Sequence, residues 1–202
     1  MDRHSIHKIL RMSCSYNNPD KKIVFGTGNI DTDIMLVGEA PGKDEEAMGT
    51  PFVGAAGQKL NEYLDMVGLS REDLYITNIV KERPLDENYS YPKNRTPNQQ
   101  EIDRYNFYIE EEIKLIEPRL IITLGSIPLK YFMGKQALIT RLHGTYREMD
   151  DYYLFFLYHP AAVLYDNNKL EIYEQDIVEL RHFLQSFEKV GNTYGAGSKV
   201  PE

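Results

Sequence analysis

The chain of 202 residues is 42% hydrophobic and carries a formal net charge of −8. These values predict a single soluble domain with a sizeable core, and no apolar run approaches the ~20 residues that span a bilayer, so no membrane contact is expected. The acidic charge argues against a polyanion held mainly by bulk electrostatics. Cys14 is the one cysteine. It cannot form an internal disulfide and, with an amino terminus that lacks a secretory signal, it favours a cytoplasmic location.

Apolar residues at helical spacing predict a first helix over residues 3–14, and the polar residues 15–30 predict a surface loop. Four apolar runs then predict strands at 34–37, 74–79, 120–124 and 153–158. Helical patterns are found at 58–67, 99–116, 127–132 and 170–187. Strands that alternate with helices and are apolar on both faces indicate a parallel sheet covered on each side.

We therefore predict an α/β fold of three layers (αβα) around a central four-stranded, mostly parallel sheet. It should form a single domain over residues 1–188. Residues 189–202 are small, polar and rich in glycine. This composition predicts a disordered tail.

The most informative segment follows the first predicted strand. The run ends in Gly38-Glu39-Ala40-Pro41-Gly42, and Glu45 comes shortly afterwards. Phe52 then precedes a second glycine-rich turn at residues 54–57, which opens a helix. Open α/β sheets bind ligands beyond the carboxyl ends of their strands, so chemistry is expected at this turn.

Asn78 and His159 lie at the ends of the second and fourth apolar runs, so two further predicted strands end in polar groups. Parallel strands bring these ends to one edge, so we expect Glu39, Asn78 and His159 to converge. Taken singly, the asparagine is typical of a turn and the histidine of a structural hydrogen bond. Together with Phe52 they suit base excision at an N-glycosidic bond. An amide can read a pyrimidine edge, an aromatic ring can stack, a neutral imidazole can donate to a carbonyl oxygen, and a carboxylate can hold a water.

In residue type and order, these motifs resemble the uracil-DNA glycosylase superfamily, and most closely its family 4. The matching segments are residues 38–57, 76–81 and 158–162, within a resemblance that covers residues 10–187. The resemblance implies a monofunctional glycosylase that flips a nucleotide out of single- or double-stranded DNA and hydrolyses the bond to uracil, initiating base excision repair. A monomer is expected.

The resemblance also implies roles for single residues. Phe52 would stack on uracil, Asn78 would read its O4 and N3 edge, and Glu45 would crowd the C5 position and so exclude thymine. The turn at Gly38, Glu39 and Ala40 would supply backbone amides that, with the His159 side chain, hold O2. Other superfamily members position the water with an aspartate where this chain has Ala40, so Glu39 is expected to hold it.

Contacts to DNA are expected from two further groups. Val163 or Leu164, just beyond the last motif, would wedge into the gap left in the base stack. Lys81, Arg141 and Arg147 are candidate phosphate contacts, although each is equally compatible with a solvated loop charge.

The resemblance fails at one point. Family 4 members usually carry four cysteines that ligate a [4Fe–4S] cluster, whereas the corresponding positions here hold Cys14, Asn17, Glu82 and Tyr105. Because such clusters are ligated by thiolates, we expect neither the cluster nor another metal. Packing around Tyr105 and pairing of Glu82 with an Arg or Lys are expected to replace it.

Two alternatives stay open. One is a DNA-binding member of the same fold with weak or no catalysis, which the acidic charge and the missing cysteines favour. The other is a glycosylase for a different deaminated base, hypoxanthine or xanthine. A nucleotide-dependent enzyme is disfavoured, because neither GxxxxGK[ST] nor GxGxxG follows a predicted strand.

Overall fold

A computed structural model describes residues 1–86, 88–164 and 168–194 of the chain. The helices are α1 (Arg3–Asn17), α2 (Lys43–Met48), α3 (Ala55–Val67), α4 (Gln99–Ile116), α5 (Ser126–Met133), α6 (Ile139–Leu142), α7 (Ala161–Leu164) and α8 (Asn168–Tyr194). The strands are β1 (Thr27–Gly28), β2 (Ile34–Gly38), β3 (Tyr75–Asn78), β4 (Leu85–Asp86), β5 (Lys93–Asn94), β6 (Leu120–Leu124), β7 (Tyr146–Glu148) and β8 (Tyr153–Leu157). One 3₁₀ turn, Arg71–Asp73, lies between α3 and β3.

The main sheet has six strands in the order β1-β3-β2-β6-β8-β7. Its four central strands are the four predicted ones, and all of them run parallel. The two edge strands, β1 and β7, pair antiparallel and were not predicted. They are only two and three residues long, and β7 is exposed along its whole length, so neither leaves an apolar run in the sequence.

Two helix ends also differ from prediction. Helix α1 continues to Asn17, three residues beyond the predicted end. Helix α8 continues to Tyr194, within the segment expected to be a disordered tail. The remainder of that segment, 195–202, lies outside the described residues.

Alternating side chains of the central strands build a separate core on each face of the sheet. Met35 and Val37 of β2 join one buried cluster, which contains residues of α1, α4 and α5. Leu36, between them, points the other way into a cluster formed with α3 and α8. Successive side chains of a strand point to opposite faces, and here both sets are apolar. Both faces of the sheet are therefore covered by helices, which produces the predicted three layers. In the described part of the chain no helix is both long and apolar enough to cross a membrane.

The parallel register aligns the carboxyl ends of the strands. Gly38 at the end of β2 lies directly opposite Asn78 at the end of β3. Hydrogen bonds from the amides of Ile79 and Val80 to the carbonyls of Gly38 and Glu39 continue this pairing beyond the strands. At the neighbouring strand end, Gly125 has a φ of +99° and leaves room for His159, which a Cβ at that position would crowd.

Candidate active site

A pocket of about 400 Å³ opens at this edge of the sheet, a size within the range of small-molecule sites. Of the predicted site residues, the structure brings together here Glu39, Ala40, Glu45, Phe52, Asn78 and His159. These residues come from the ends of three different parallel strands and the segments that follow them, as the parallel register requires. Gly38 contributes space instead of a lining group, because a Cβ at this position would overlap both the Asn78 Oδ1 atom and the Phe52 ring.

The Asn78 amide is the most unusual polar group of the pocket. The side chain is 2% exposed, and its Oδ1 atom has no hydrogen-bond partner among the described residues. Leaving a buried acceptor unsatisfied costs about 1–3 kcal/mol. The described part of the fold therefore provides no protein partner for this acceptor in the pocket, where a ligand N–H or a water can satisfy it.

His159 is held in a neutral form with a defined tautomer. Burial lowers the pKa of its imidazole to about 4, although the Glu45 carboxylate acts in the opposite direction. The backbone N–H of Ala161 donates to His159 Nδ1 at 3.2 Å, so Nδ1 is an acceptor and the proton resides on Nε2. The ring also stacks on Phe52, with 5.7 Å between centroids and 29° between planes. His159 thus has one N–H to donate to a ligand.

Glu39 supplies a carboxylate to the pocket wall. The side chain is half-buried, and burial raises the pKa of its carboxyl group. Within the described residues this carboxylate has no ion-pair partner. It is therefore available to accept a hydrogen bond from a water in the pocket.

The Glu45 carboxylate is hydrogen-bonded to the backbone around it. Its carboxylate accepts hydrogen bonds from the amides of Gly42 (3.1 Å), Val53 (2.9 Å) and Gly54 (2.7 Å). These bonds tie the start of α2 to the turn that carries Phe52. The crowding of the uracil C5 position by Glu45 stays a prediction.

The prediction that Lys81 contacts phosphate is wrong. Its ammonium is fully buried and forms an ion pair with Glu112 of α4, which is also fully buried. It further donates to Thr77 Oγ1 and to the carbonyl of Asn78, each at 2.7 Å. Glu112 in turn accepts from Tyr75 OH and the amide of Gly26. This network holds the end of β3 in place, and the Lys81 side chain is not exposed to solvent.

None of the other expected DNA contacts whose side chains are described lines the pocket. Val163 is 6% exposed and packs in the core cluster with α3 and α8, so the prediction that it wedges between bases is wrong. The Leu164 side chain lies outside the described residues. Arg141 on α6 and Arg147 on β7 are exposed, but neither lines the pocket. Their phosphate contacts stay predictions.

One wall of the pocket was missed entirely. Pro84, Asn94 and Arg95 line it, and they flank or belong to the short β4–β5 hairpin. Arg83 Nε donates to Asn94 Oδ1 at 2.6 Å and so anchors this wall. Two strands of two residues each carry no periodic signal, so this hairpin was not predicted.

The residues at the expected cluster positions do not fit an iron–sulfur cluster. Cys14 is the only thiol, and burial raises its pKa to about 12, which disfavours the thiolate that binds iron. Glu82 instead pairs with Arg104 and, at 2.8 Å, with Lys21. Tyr105 is completely buried in the core beside them. The expected pairing of Glu82 and packing around Tyr105 are therefore present, and their role as a replacement for the cluster stays a prediction. In the described ranges no group of three or more His, Cys, Asp or Glu is placed to hold a metal ion.

The fold and the pocket together define an α/β protein with a pocket at the carboxyl edge of its sheet that brings an aromatic ring, an amide and an imidazole together. The chain belongs to the uracil DNA glycosylase superfamily, whose family model matches residues 25–185. It is similar to the type-4 uracil-DNA glycosylase of Archaeoglobus fulgidus, with 36% identity over 90% of this chain and 87% of the relative. The type-4 enzymes of Sulfurisphaera tokodaii and Saccharolobus solfataricus are each 37% identical, over 87% and 89% of this chain and 81% and 85% of their own lengths.

Proposed function

We propose that the protein is a monofunctional DNA glycosylase that hydrolyses the N-glycosidic bond of uracil in DNA and so initiates base excision repair. The printed names of the similar type-4 enzymes support this function. The observation that carries it is the Oδ1 acceptor of buried Asn78, which no described residue satisfies, set beside Phe52 and the neutral His159. This combination suits a ring with an N–H and two carbonyl oxygens.

Base selection follows from the two ends of the Asn78 amide. Oδ1 accepts the N3–H of uracil, and Nδ2 donates to O4. Cytosine presents an unprotonated N3 and an amino group, so both hydrogen bonds would be lost and the buried amide left unpaired. Sites built to bond a polar group discriminate strongly against analogues that lack it. The target nucleotide has to leave the base stack to reach this depth, which costs a few kcal/mol.

The chemical step divides between His159 and Glu39. The C1′–N1 bond breaks and its electron pair leaves with uracil, so negative charge grows on O2. His159 Nε2–H donates to that oxygen, and one such donor is worth about 3–4 kcal/mol. A water held by Glu39 bonds to C1′ of the sugar cation and gives its proton to the carboxylate. That proton then reaches the uracil anion through solvent, leaving free uracil and an abasic sugar.

We infer further that the enzyme works as a cytoplasmic monomer on uracil in single- or double-stranded DNA, without an iron–sulfur cluster. The absence of three of the four thiols supports the last point. Purified protein should be colourless and contain less than one iron atom per chain by metal analysis. A brown protein with stoichiometric iron would contradict the inference.

The test of the function is release of free base from oligonucleotides that contain uracil, hypoxanthine, xanthine or cytosine, in single and double strands. The parent should release uracil. Asn78→Ala should lower kcat/KM for uracil by about 10²-fold or more. The control is Asn106→Ala, because Asn106 lies on α4 and outside the pocket. It should match the parent.

Three results would count against the proposal. Full activity of Asn78→Ala would remove the account of base selection. Preferred release of hypoxanthine or xanthine would assign a different deaminated base. DNA binding without release of any base would assign a binding protein of the same fold.

A further inference from the structure

The aromatic ring of the pocket is carried by a strained piece of backbone. Phe52 has a φ of +54°, in the left-handed region that residues with a Cβ rarely adopt. This conformation turns the ring over Gly38 and against the imidazole of His159. Strained residues persist only where surrounding contacts over-determine them. The contacts that hold this turn are therefore part of the site.

Two side chains of opposite charge hold the turn from its two sides. Glu45 accepts hydrogen bonds from the amides that follow Phe52, as described above. Arg71, in the 3₁₀ turn after α3, donates from Nη1 to the Phe52 carbonyl at 2.8 Å and from Nη2 to the Pro51 carbonyl. The guanidinium therefore donates to two successive carbonyls, those of Pro51 and Phe52. The carboxylate accepts from the next two amides, those of Val53 and Gly54.

The surroundings of the Phe52 carbonyl leave it little freedom. Gly57 in the first turn of α3 passes directly beneath it, and a Cβ at that position would overlap the carbonyl oxygen. Arg71 is half-buried over the same turn. Burial lowers its pKa, while the Glu45 charge acts to raise it. The two charged groups thus support each other across the turn.

We propose that Arg71 is a positioning residue for base recognition, whose two hydrogen bonds hold Phe52 in the left-handed conformation that presents its ring to the base. This inference rests on the proposed function and assigns a specificity role to a residue outside all three motifs. A lysine in its place has a single ammonium and does not reproduce the planar fork that engages two carbonyls. Without the fork the backbone relaxes towards negative φ and the ring turns away.

The first experiment measures kinetics on a single-stranded uracil oligonucleotide for Arg71→Lys, Phe52→Ala and the double variant. Stacking of one base on an aromatic side chain supports about a tenfold effect or more, so Arg71→Lys should raise KM and the Ki of free uracil by about tenfold with a smaller change in kcat. In the Phe52→Ala background the same substitution should have little effect. Arg11→Lys, at an exposed position of α1, is the matched control and should resemble the parent.

The second experiment does not need activity. The His159 ring lies against Phe52, so its proton resonances carry a ring-current shift in NMR spectra. Arg71→Lys should move them towards their positions in Phe52→Ala, and Arg11→Lys should not.

The outcomes separate the two proposals. A parent that releases no uracil contradicts the proposed function alone, because the NMR shift still tests the position of the ring. An active parent whose Arg71→Lys variant keeps its KM and its His159 resonances overturns the role of Arg71. An equal loss in the parent and Phe52→Ala backgrounds also overturns it, since Arg71 would then act on something other than the ring.

Discussion

Lowering the pH should destabilise the folded protein through His159. The imidazole has an ordinary pKa of 6.5, and burial lowers it to about 4 in the folded chain. Above pH 6.5 the residue is neutral in both states and has no effect. Between pH 6.5 and about pH 4 the imidazole is protonated in the unfolded chain but remains neutral in the folded chain. The free energy of unfolding therefore falls as the pH falls.

The size of the effect follows from the two pKa values. At about 1.4 kcal/mol per pH unit, the full effect approaches about 3 kcal/mol below both values. At about pH 5 the unfolded imidazole is almost fully protonated and the folded one almost fully neutral, which gives a loss of about 2 kcal/mol. A change of that size is a large share of the stability of an ordinary domain.

The measurement is urea denaturation of the parent and of His159→Gln at about pH 7.5 and about pH 5. Other groups titrate in this range, so the informative quantity is the stability of the parent minus that of the variant. It should fall by about 2 kcal/mol between the two conditions. His182→Gln, at an exposed position of α8, is the matched control.

A difference for His159→Gln that does not change with pH would refute the reasoning. So would imidazole NMR spectra that show the His159 proton on Nδ1, because the Ala161 amide donates to that atom. The first result would remove the shifted pKa of His159, and the second would leave the pocket without the Nε2–H donor on which the stabilisation of O2 depends.

Two further substitutions test the supports of the site. Lys81→Met leaves the buried Glu112 carboxylate without its counter-charge, so the free energy of unfolding in urea should drop by about 3–5 kcal/mol. Adding Glu112→Gln, which removes the charge and keeps an acceptor for Tyr75 OH and the Gly26 amide, should restore part of it; an unchanged urea midpoint would show that the pair is not sealed from water. Gly38→Ala places a Cβ against Asn78 Oδ1 and the Phe52 ring; it should lower kcat/KM for uracil by about tenfold or more, whereas wild-type kinetics would show that the pocket can widen.

Much of this architecture could be predicted because it depends on patterns that the sequence carries locally. Continuous apolar runs specify strands buried on both faces, and parallel strands necessarily align the turns that follow them. That logic correctly predicts that Glu39, Asn78 and His159 meet at one edge of the sheet. The short edge strands β1 and β7 were not predicted, because two or three residues are too few to show a periodic apolar pattern.

The errors have a different physical origin. A lysine is usually solvated, and only a partner such as Glu112, 31 residues away on α4, makes the burial of Lys81 tolerable. Val163 follows the last motif in the sequence, yet the fold of α7 turns its side chain inward. The backbone contacts of Glu45 and Arg71 were equally invisible, because local sequence does not report which side chain will meet a distant carbonyl or amide.

The corner formed by Glu82, Lys21 and Arg104 has a consequence for how the protein responds to salt. Its two ion pairs join the segment after α1 to the start of α4. Because Lys21 and Arg104 are partly exposed whereas Lys81 and Glu112 are fully buried, high ionic strength should weaken this corner more than the buried pair behind the end of β3.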